Sequence, residues 1–406
     1  MKLKSLLLGS AAVLALSTGA QAADPIAEFV SLGVCDAYGI SGLTIESDDT
    51  CLSISGSVEY TFETGNYGAG FGSPTDFFTD SLVEWQLLFE ATTQTDAGAA
   101  TAVIRLNDGT ENANGDINPE IERAYVSFGD TTVITAGRIG SIFDTVILDR
   151  SYGALNFDEL DKGDLANSVA TGGHGIQIES LIADGFSVLV GLENLQVDDG
   201  FAPNNENGTA GLAVAYDNGG ISGEVGVLLG DIFDSADQVN YYARVMAEFD
   251  AFSVRGGVVA DDTGDWIATI GAGATFDMFS LDVDAAFTEA DEFAVAGEGS
   301  FGATDTIDVY LGAAYAEDAG IMNATYYDNG ALVGETFAVY AGVNAEVVEN
   351  ISVNAEVGYV DYSAGDLVYG AGGVTYAPGG NFETGLSAYA DTDDVYAVTF
   401  SASKSF

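Results

Sequence analysis

Basic residues are scarce in this chain: ten lysines and arginines stand against 63 aspartates and glutamates, for a formal net charge of −53 at pH 7. Phosphate-rich partners require basic surface, so the composition argues against nucleic acid. Histidine is scarcer still. His174 is the only one, and any serine–histidine pair would have to use it. Its surroundings, "TGGHGIQIES", hold no Gly-x-Ser-x-Gly elbow. The expectation is a protein that is not an enzyme.

Long apolar runs are missing apart from one. Residues 1–22, "MKLKSLLLGSAAVLALSTGAQA", place Lys2 and Lys4 before an apolar stretch from Leu6 to Leu16 and end on Ala20-Gln21-Ala22. That is the pattern of a secretory signal peptide, and the run is too short for a membrane helix of roughly 20 apolar residues. Residues 23–406 then form a single domain without a linker. Cysteine is limited to Cys35 and Cys51. Export places both in an oxidising compartment, which favours a disulfide closing the segment 23–51 over two independent buried thiols. Their spacing matches no zinc site. Proline is rare as well, with 5 residues against 52 glycines. High net charge alone would argue for disorder, but 47% hydrophobic residues, 23 Phe and 19 Tyr argue for a folded chain.

What the chain does contain is alternation. In "ISVNAEVGY", Ile351, Val353, Ala355, Val357 and Tyr359 share one face, with Ser352, Asn354, Glu356 and Gly358 on the other. This is the period of a strand. "TFAVYAGVNAEVV", "FSLDVDAAF" and "LVEWQLLFEA" behave alike. Short turn signals such as "YDNGG" and "FDMF" alternate with longer polar stretches such as "QVDDGFAPNNENG", so hairpins with one short and one long end are expected. A soluble sandwich also alternates. Strands of about 9 to 11 residues, many of them, with acids and glycines on the polar face, instead fit a bilayer-spanning barrel around water. The fold expected is all-β, a transmembrane antiparallel β-barrel with 16 strands favoured and 18 possible. "DLVYGAGGVTYA" reads either as a strand pair or as a loop.

Three stretches carry a resemblance: "VCDAYG" (34–39), "TCLSISGSV" (50–58) and "ERAYVSFGDTTVITAGR" (122–138). Together with the closing alternation from Tyr396 to Phe406, they resemble the general porin family of alphaproteobacterial outer membranes. The likeness implies a homotrimer of 16-stranded barrels in the outer membrane of a Gram-negative bacterium. Each barrel would be a passive diffusion pore for small hydrophilic solutes and ions, held in outer-membrane lipid and narrowed by a third loop folded into the lumen. Ser53 stands where that family usually has lysine, and Lys404 interrupts the aromatic C-terminal series.

Parity assigns the arginines. Ala102, Ile104 and Leu106 share a face, which puts Arg105 on the other, and Ala124, Val126 and Phe128 do the same for Arg123. Arg244 and Arg255 turn inward by the same reasoning. Arg138 shares a face with Ile134 and Ala136, and only the resemblance places it inside. The connection 141–173 carries Asp144, Asp149, Asp158, Glu159, Asp161 and Asp164 against Arg150 and Lys162. A loop of this length is functional or disordered. Folded inward, it would oppose its carboxylates to wall arginines across a constriction; the alternative is an exposed acidic loop. With Glu84, Glu90, Glu224, Asp282, Asp284, Asp308 and Glu356 also inward, cation preference is expected.

No cofactor is expected, although weak Ca2+ binding by acidic loops is compatible with "ADDTGD" (260–265), "DTDD" (391–394) and "NDGTENANGD" (107–116). A calcium-dependent acidic surface or adhesive β protein is the alternative function.

Overall fold

The computed structural model describes residues 34–37, 40, 42–47, 49–66, 77–108, 119–153, 155–195, 208–234, 236–317, 322–324, 335–363 and 365–406. The signal peptide expected at 1–22 and most of the acidic stretch 107–116 lie outside the described residues.

Among the described residues a helical turn, α1 (Val34–Ala37), precedes a succession of strands. The first six are β1 (Leu43–Glu46), β2 (Thr50–Asn66), β3 (Phe77–Thr95), β4 (Gly98–Asn107), β5 (Glu120–Gly129) and β6 (Thr132–Ile139). The long connection that follows holds β7 (Leu148–Tyr152), β8 (Leu155–Leu160) and a 3-10 turn at Lys162–Asp164. Then come β9 (Gly173–Ala183), β10 (Phe186–Glu193), β11 (Thr209–Asp217), β12 (Ile221–Gly230), β13 (Gln238–Glu248) and β14 (Phe252–Asp261). These lead to β15 (Trp266–Phe276), β16 (Phe279–Thr288), β17 (Phe293–Thr304), β18 (Ile307–Ala316) and the two-residue β19 (Asn323–Ala324). The chain finishes with β20 (Thr336–Val348), β21 (Ile351–Tyr362), β22 (Gly365–Gly379), β23 (Phe382–Asp391) and β24 (Tyr396–Ser405).

β7, β8 and β19 form a small sheet of their own, and the remaining 21 strands form one antiparallel sheet. β2 pairs with both β3 and β24, so the hydrogen-bonded order is cyclic. With the four-residue β1 set aside as an addition to β2, the closed barrel has 20 strands. The expected 16 or 18 is thereby corrected. One reason is visible in "DLVYGAGGVTYA", which is a single strand, β22, paired from Tyr362↔Gly365 to Ile351↔Tyr376 on one edge. Its run of glycines has no side chains to reveal which face each position belongs to, so the period of two fades where the strand is most regular.

By internal packing the chain divides into two units, Met1–Val58 with Glu84–Asp130 and Ser405–Phe406, and Glu59–Val83 with Thr131–Lys404. In the first, Cys35 and Cys51 form the expected disulfide, with Cα atoms 4.9 Å apart and both residues buried. β1 pairs with β2 from Leu43↔Ile54 to Glu46↔Cys51, and the Cys35 amide donates to the Glu46 carboxylate at 3.2 Å. Phe406 exchanges two backbone hydrogen bonds with Gly56, each 3.0 Å.

In the second unit the apolar face of the strands is the exposed one. On β14, Phe252, Val254 and Val258 are exposed, while Val259 on the opposite face is fully buried. Short turns such as Ala183–Phe186 and Phe276–Phe279 join the strands at one end, where aromatic pairs collect. Phe186 and Tyr216 lie 4.5 Å apart between ring centroids, Phe279 and Phe301 4.9 Å, and Phe252 and Phe276 5.2 Å. A belt of rings at a strand end marks a membrane–water interface. The core lies on the other face, where the 140–172 connection packs against the strands.

Candidate functional site

In the first unit, Arg105 and Arg123 are cross-strand partners. Parity places them correctly on one face, opposite the exposed Ile104 and Val126. It fails for Glu122, which a regular strand would turn the other way. A bulge between Arg105 and Leu106 leaves Glu122 as the extra residue. Its carboxylate lies 2.9 Å from Arg105 Nε and 3.8 Å from Arg123 Nε. One acid therefore answers two arginines, and nothing in the alternation pattern announces it.

The second unit holds the 140–172 connection against the polar face of its strands. Both ends are fixed by one buried side chain, Glu193. It accepts from the Ile142 amide at 3.2 Å, the Gly172 amide at 2.7 Å and Gln177 Nε2 at 2.7 Å. Gln177 also donates to the Gly140 carbonyl at 2.7 Å. Further along, buried Asn240 accepts from the Val169 amide at 2.6 Å and donates to the Asn167 carbonyl at 2.9 Å. Thr269 donates to the Ile147 carbonyl at 3.2 Å. Buried polar groups require partners, and here they meet backbone groups that the sheet ladder leaves over.

Apolar side chains of the connection fill the space that glycines leave. The Phe143 ring lies where a Cβ on Gly191 or Gly211 would stand, and Ile147 occupies that place over Gly257. Tyrosines of the wall lie flat over glycines in cross-strand register: Tyr242 over Gly226, Tyr340 over Gly312, Tyr310 over Gly342 and Tyr369 over Gly358. Their hydroxyls reach carboxylates. Tyr242 donates to Glu224 at 2.6 Å, Tyr340 to Glu298 at 2.8 Å, and Tyr369 and Tyr310 to Glu356 at 2.7 and 3.0 Å.

A charged cluster joins the tip of the connection to the wall. Asp284 is fully buried and receives Arg255 through Nε at 2.6 Å and Nη2 at 2.5 Å. Asp282 lies 3.0 Å from Arg150 Nη2 and 3.5 Å from Arg255 Nη1. Tyr152 also donates to Asp284. Burial, followed by this hydrogen bond, pushes the Tyr152 hydroxyl well above its ordinary range, so it remains a donor.

The other expected site residues take different places. Lys162 is buried and donates to Asp144 at 2.7 Å. Asp161 and Asp164 are occupied in a capping box around the 3-10 turn. Asp149 is exposed. Asp158 and Glu159 fall in β8, and their side chains lie outside the described residues. Arg138 pairs in register with His174, on the same face as the exposed Ile134, Ile176 and Ile178. Parity alone gives that placement, against the resemblance. Glu122, Glu193 and Asn240 were not singled out from sequence; the acid that follows the apolar run "FSVLVGL" is the one signal that would have drawn attention to Glu193. No group of three His, Cys, Asp or Glu side chains able to hold a metal occurs among the described residues.

Comparison with known proteins agrees with this architecture. The profile of the Porin subfamily matches residues 21–399. Outer membrane protein IIIA of Rhizobium leguminosarum bv. viciae is 26% identical over 90% of this chain and 92% of its own length. Porin Omp2a of Brucella ovis is 30% identical over 55% of this chain and 70% of that protein. Among solved structures, Pseudomonas aeruginosa OccK8 (OprE) superposes with a TM-score of 0.50 at 11% identity, covering 87% of this chain and 98% of that one. A cyclic antiparallel sheet with its apolar face outward, matched along nearly its whole length by that profile, makes this chain a member of the Porin subfamily, the channel-forming barrels of Gram-negative outer membranes.

Proposed function

We propose that the protein is a trimeric diffusion pore for small hydrophilic solutes and ions, that the 140–172 connection lies in its lumen, and that the pore prefers cations. The observation that carries the reading is the docking of that connection on the polar face through Glu193, Asn240 and the Arg150–Asp282–Asp284–Arg255 cluster. A connection held on the polar side of a barrel wall narrows the water path.

Cation preference follows from which charges remain after pairing. Arg150 and Arg255 are matched by Asp282 and Asp284, Lys162 by Asp144, and Arg244 Nη2 lies 3.7 Å from Glu224. Glu298 and Glu356 are held by tyrosine hydroxyls and make no close ion pair among the described residues, although Arg150 lies near enough to Glu298 to act on it electrostatically. Neutral pairs contribute little field, whereas unmatched carboxylates near a narrow section attract cations within a Debye length, about 8 Å at physiological salt. The test is a reversal potential in a salt gradient across a planar bilayer. Wild type should be cation-preferring, and Glu298→Gln with Glu356→Gln should bring the potential toward zero. Anion preference in the wild type would sink the reading.

A further inference from the structure

Arg138 and His174 form a second polar feature, one that the pore does not use. They are register partners near the ends of β6 and β9 that lead into the 140–172 connection. Exposure alternates along β9, with His174 out, Gly175 in, Ile176 out, Gln177 in and Ile178 out, and Arg138 is out beside buried Ile139. Both side chains therefore stand on the apolar, lipid-facing surface, with Cβ atoms about 5 Å apart as cross-strand partners are. Below them runs a stripe of Ile134, Ile176 and Ile178.

An arginine on a lipid-facing strand is costly at mid-membrane and tolerated only near the interface. It needs an anion there. Each other basic side chain of the described residues has an ion-pair or hydrogen-bond partner: Glu122 for Arg105 and Arg123, Asp282 and Asp284 for Arg150 and Arg255, Asp144 for Lys162, Glu224 for Arg244, and the Gly380 carbonyl for Lys404. Arg138 has none among the described residues, in a chain with 63 acids. Long connections of such barrels face outward and short turns face the periplasm, which puts the pair at the outer-leaflet interface.

We propose that Arg138 and His174 bind the phosphate of an outer-leaflet phospho-lipid, whose acyl chains lie along the Ile134–Ile176–Ile178 stripe. The guanidinium offers a planar fork suited to phosphate, and the imidazole a further donor. Basic groups at the interface recognise anionic headgroups in this way.

The experiment takes the full chain purified in mild detergent, stripped of lipid, and offered bisphosphorylated lipid A or the same lipid with its phosphates removed. Native mass spectrometry counts the lipid bound. Wild type should favour the phosphorylated form by about tenfold, the equivalent of one charge-assisted contact. Arg138→Gln should abolish that preference, His174→Gln should reduce it, and Arg138→Lys should keep part of it; heat-dependent gel migration reports that each variant is folded. Millimolar inorganic phosphate should not displace the lipid; full displacement would mean an ion site and overturn the proposal. Undiminished phosphate preference in Arg138→Gln would also overturn it. So would loss of the oligomer with lipid binding intact, which would assign the pair to a subunit contact. A changed reversal potential in Arg138→Gln with lipid binding intact would return Arg138 to the pore wall.

Discussion

At the scale of single residues, the site is governed by which charges are spoken for. Asp284 is fully buried and accepts from Arg255 and Tyr152, so together with the Arg150–Asp282 pair it joins the connection to the wall. Removing one partner of a buried pair leaves the other desolvated and uncompensated, at a cost of about 3 kcal/mol. Asp284→Ala should therefore free Tyr152 and leave Arg255 and Arg150 to share Asp282, loosening the tip of the connection and giving a noisier, larger single-channel current; a wild-type trace from this variant would show that Asp284 does not hold the connection. The pH dependence has a definite sign. Tyr152 titrates above its ordinary range, so its contribution is complete below about pH 10, the unperturbed value, and is lost only as pH rises through the higher folded value. Open-channel current should accordingly be steady from pH 7 to about pH 10 as far as this group is concerned.

At the scale of elements, alternation made most strands legible, because one face meets lipid and the other meets water or the connection. Arg105 and Arg123 were placed by that rule alone. What it could not supply was anything that breaks the period. The bulge that brings Glu122 beside both arginines is a one-residue defect without a composition signal, and glycine-rich β22 carries a period that its residues cannot display. The docking of the connection was hidden for a related reason: its anchors, Glu193, Asn240 and Gln177, lie on three separate strands and meet only in space. The glycines opposite Phe143 are a testable part of it. Gly211→Val would set a branched side chain into the ring of Phe143. Overpacking of this kind costs about 1–3 kcal/mol, and the displaced connection should alter conductance while the barrel keeps its heat-dependent gel migration. Unchanged conductance would mean that Phe143 finds room elsewhere.

At the scale of the whole molecule, a cyclic sheet satisfies backbone hydrogen bonds along every strand and has no free edge. Unboiled samples should therefore migrate differently from boiled ones in a denaturing gel; identical migration would contradict a closed barrel. The closure has a further consequence, in time rather than in space. Asn66 donates to the Asp394 carbonyl across 328 residues of chain, and Thr399 to Glu63 across 336. The strand that opens the ring must wait for the strand that closes it, so the order of synthesis and the order of assembly cannot coincide. Contacts this distant in sequence make folding slow and leave unpaired edges exposed meanwhile. Until β24 is made, such a chain depends on being kept apart from its neighbours, and the high density of like charge, 63 acids against ten bases, supplies part of that separation during its passage to the membrane.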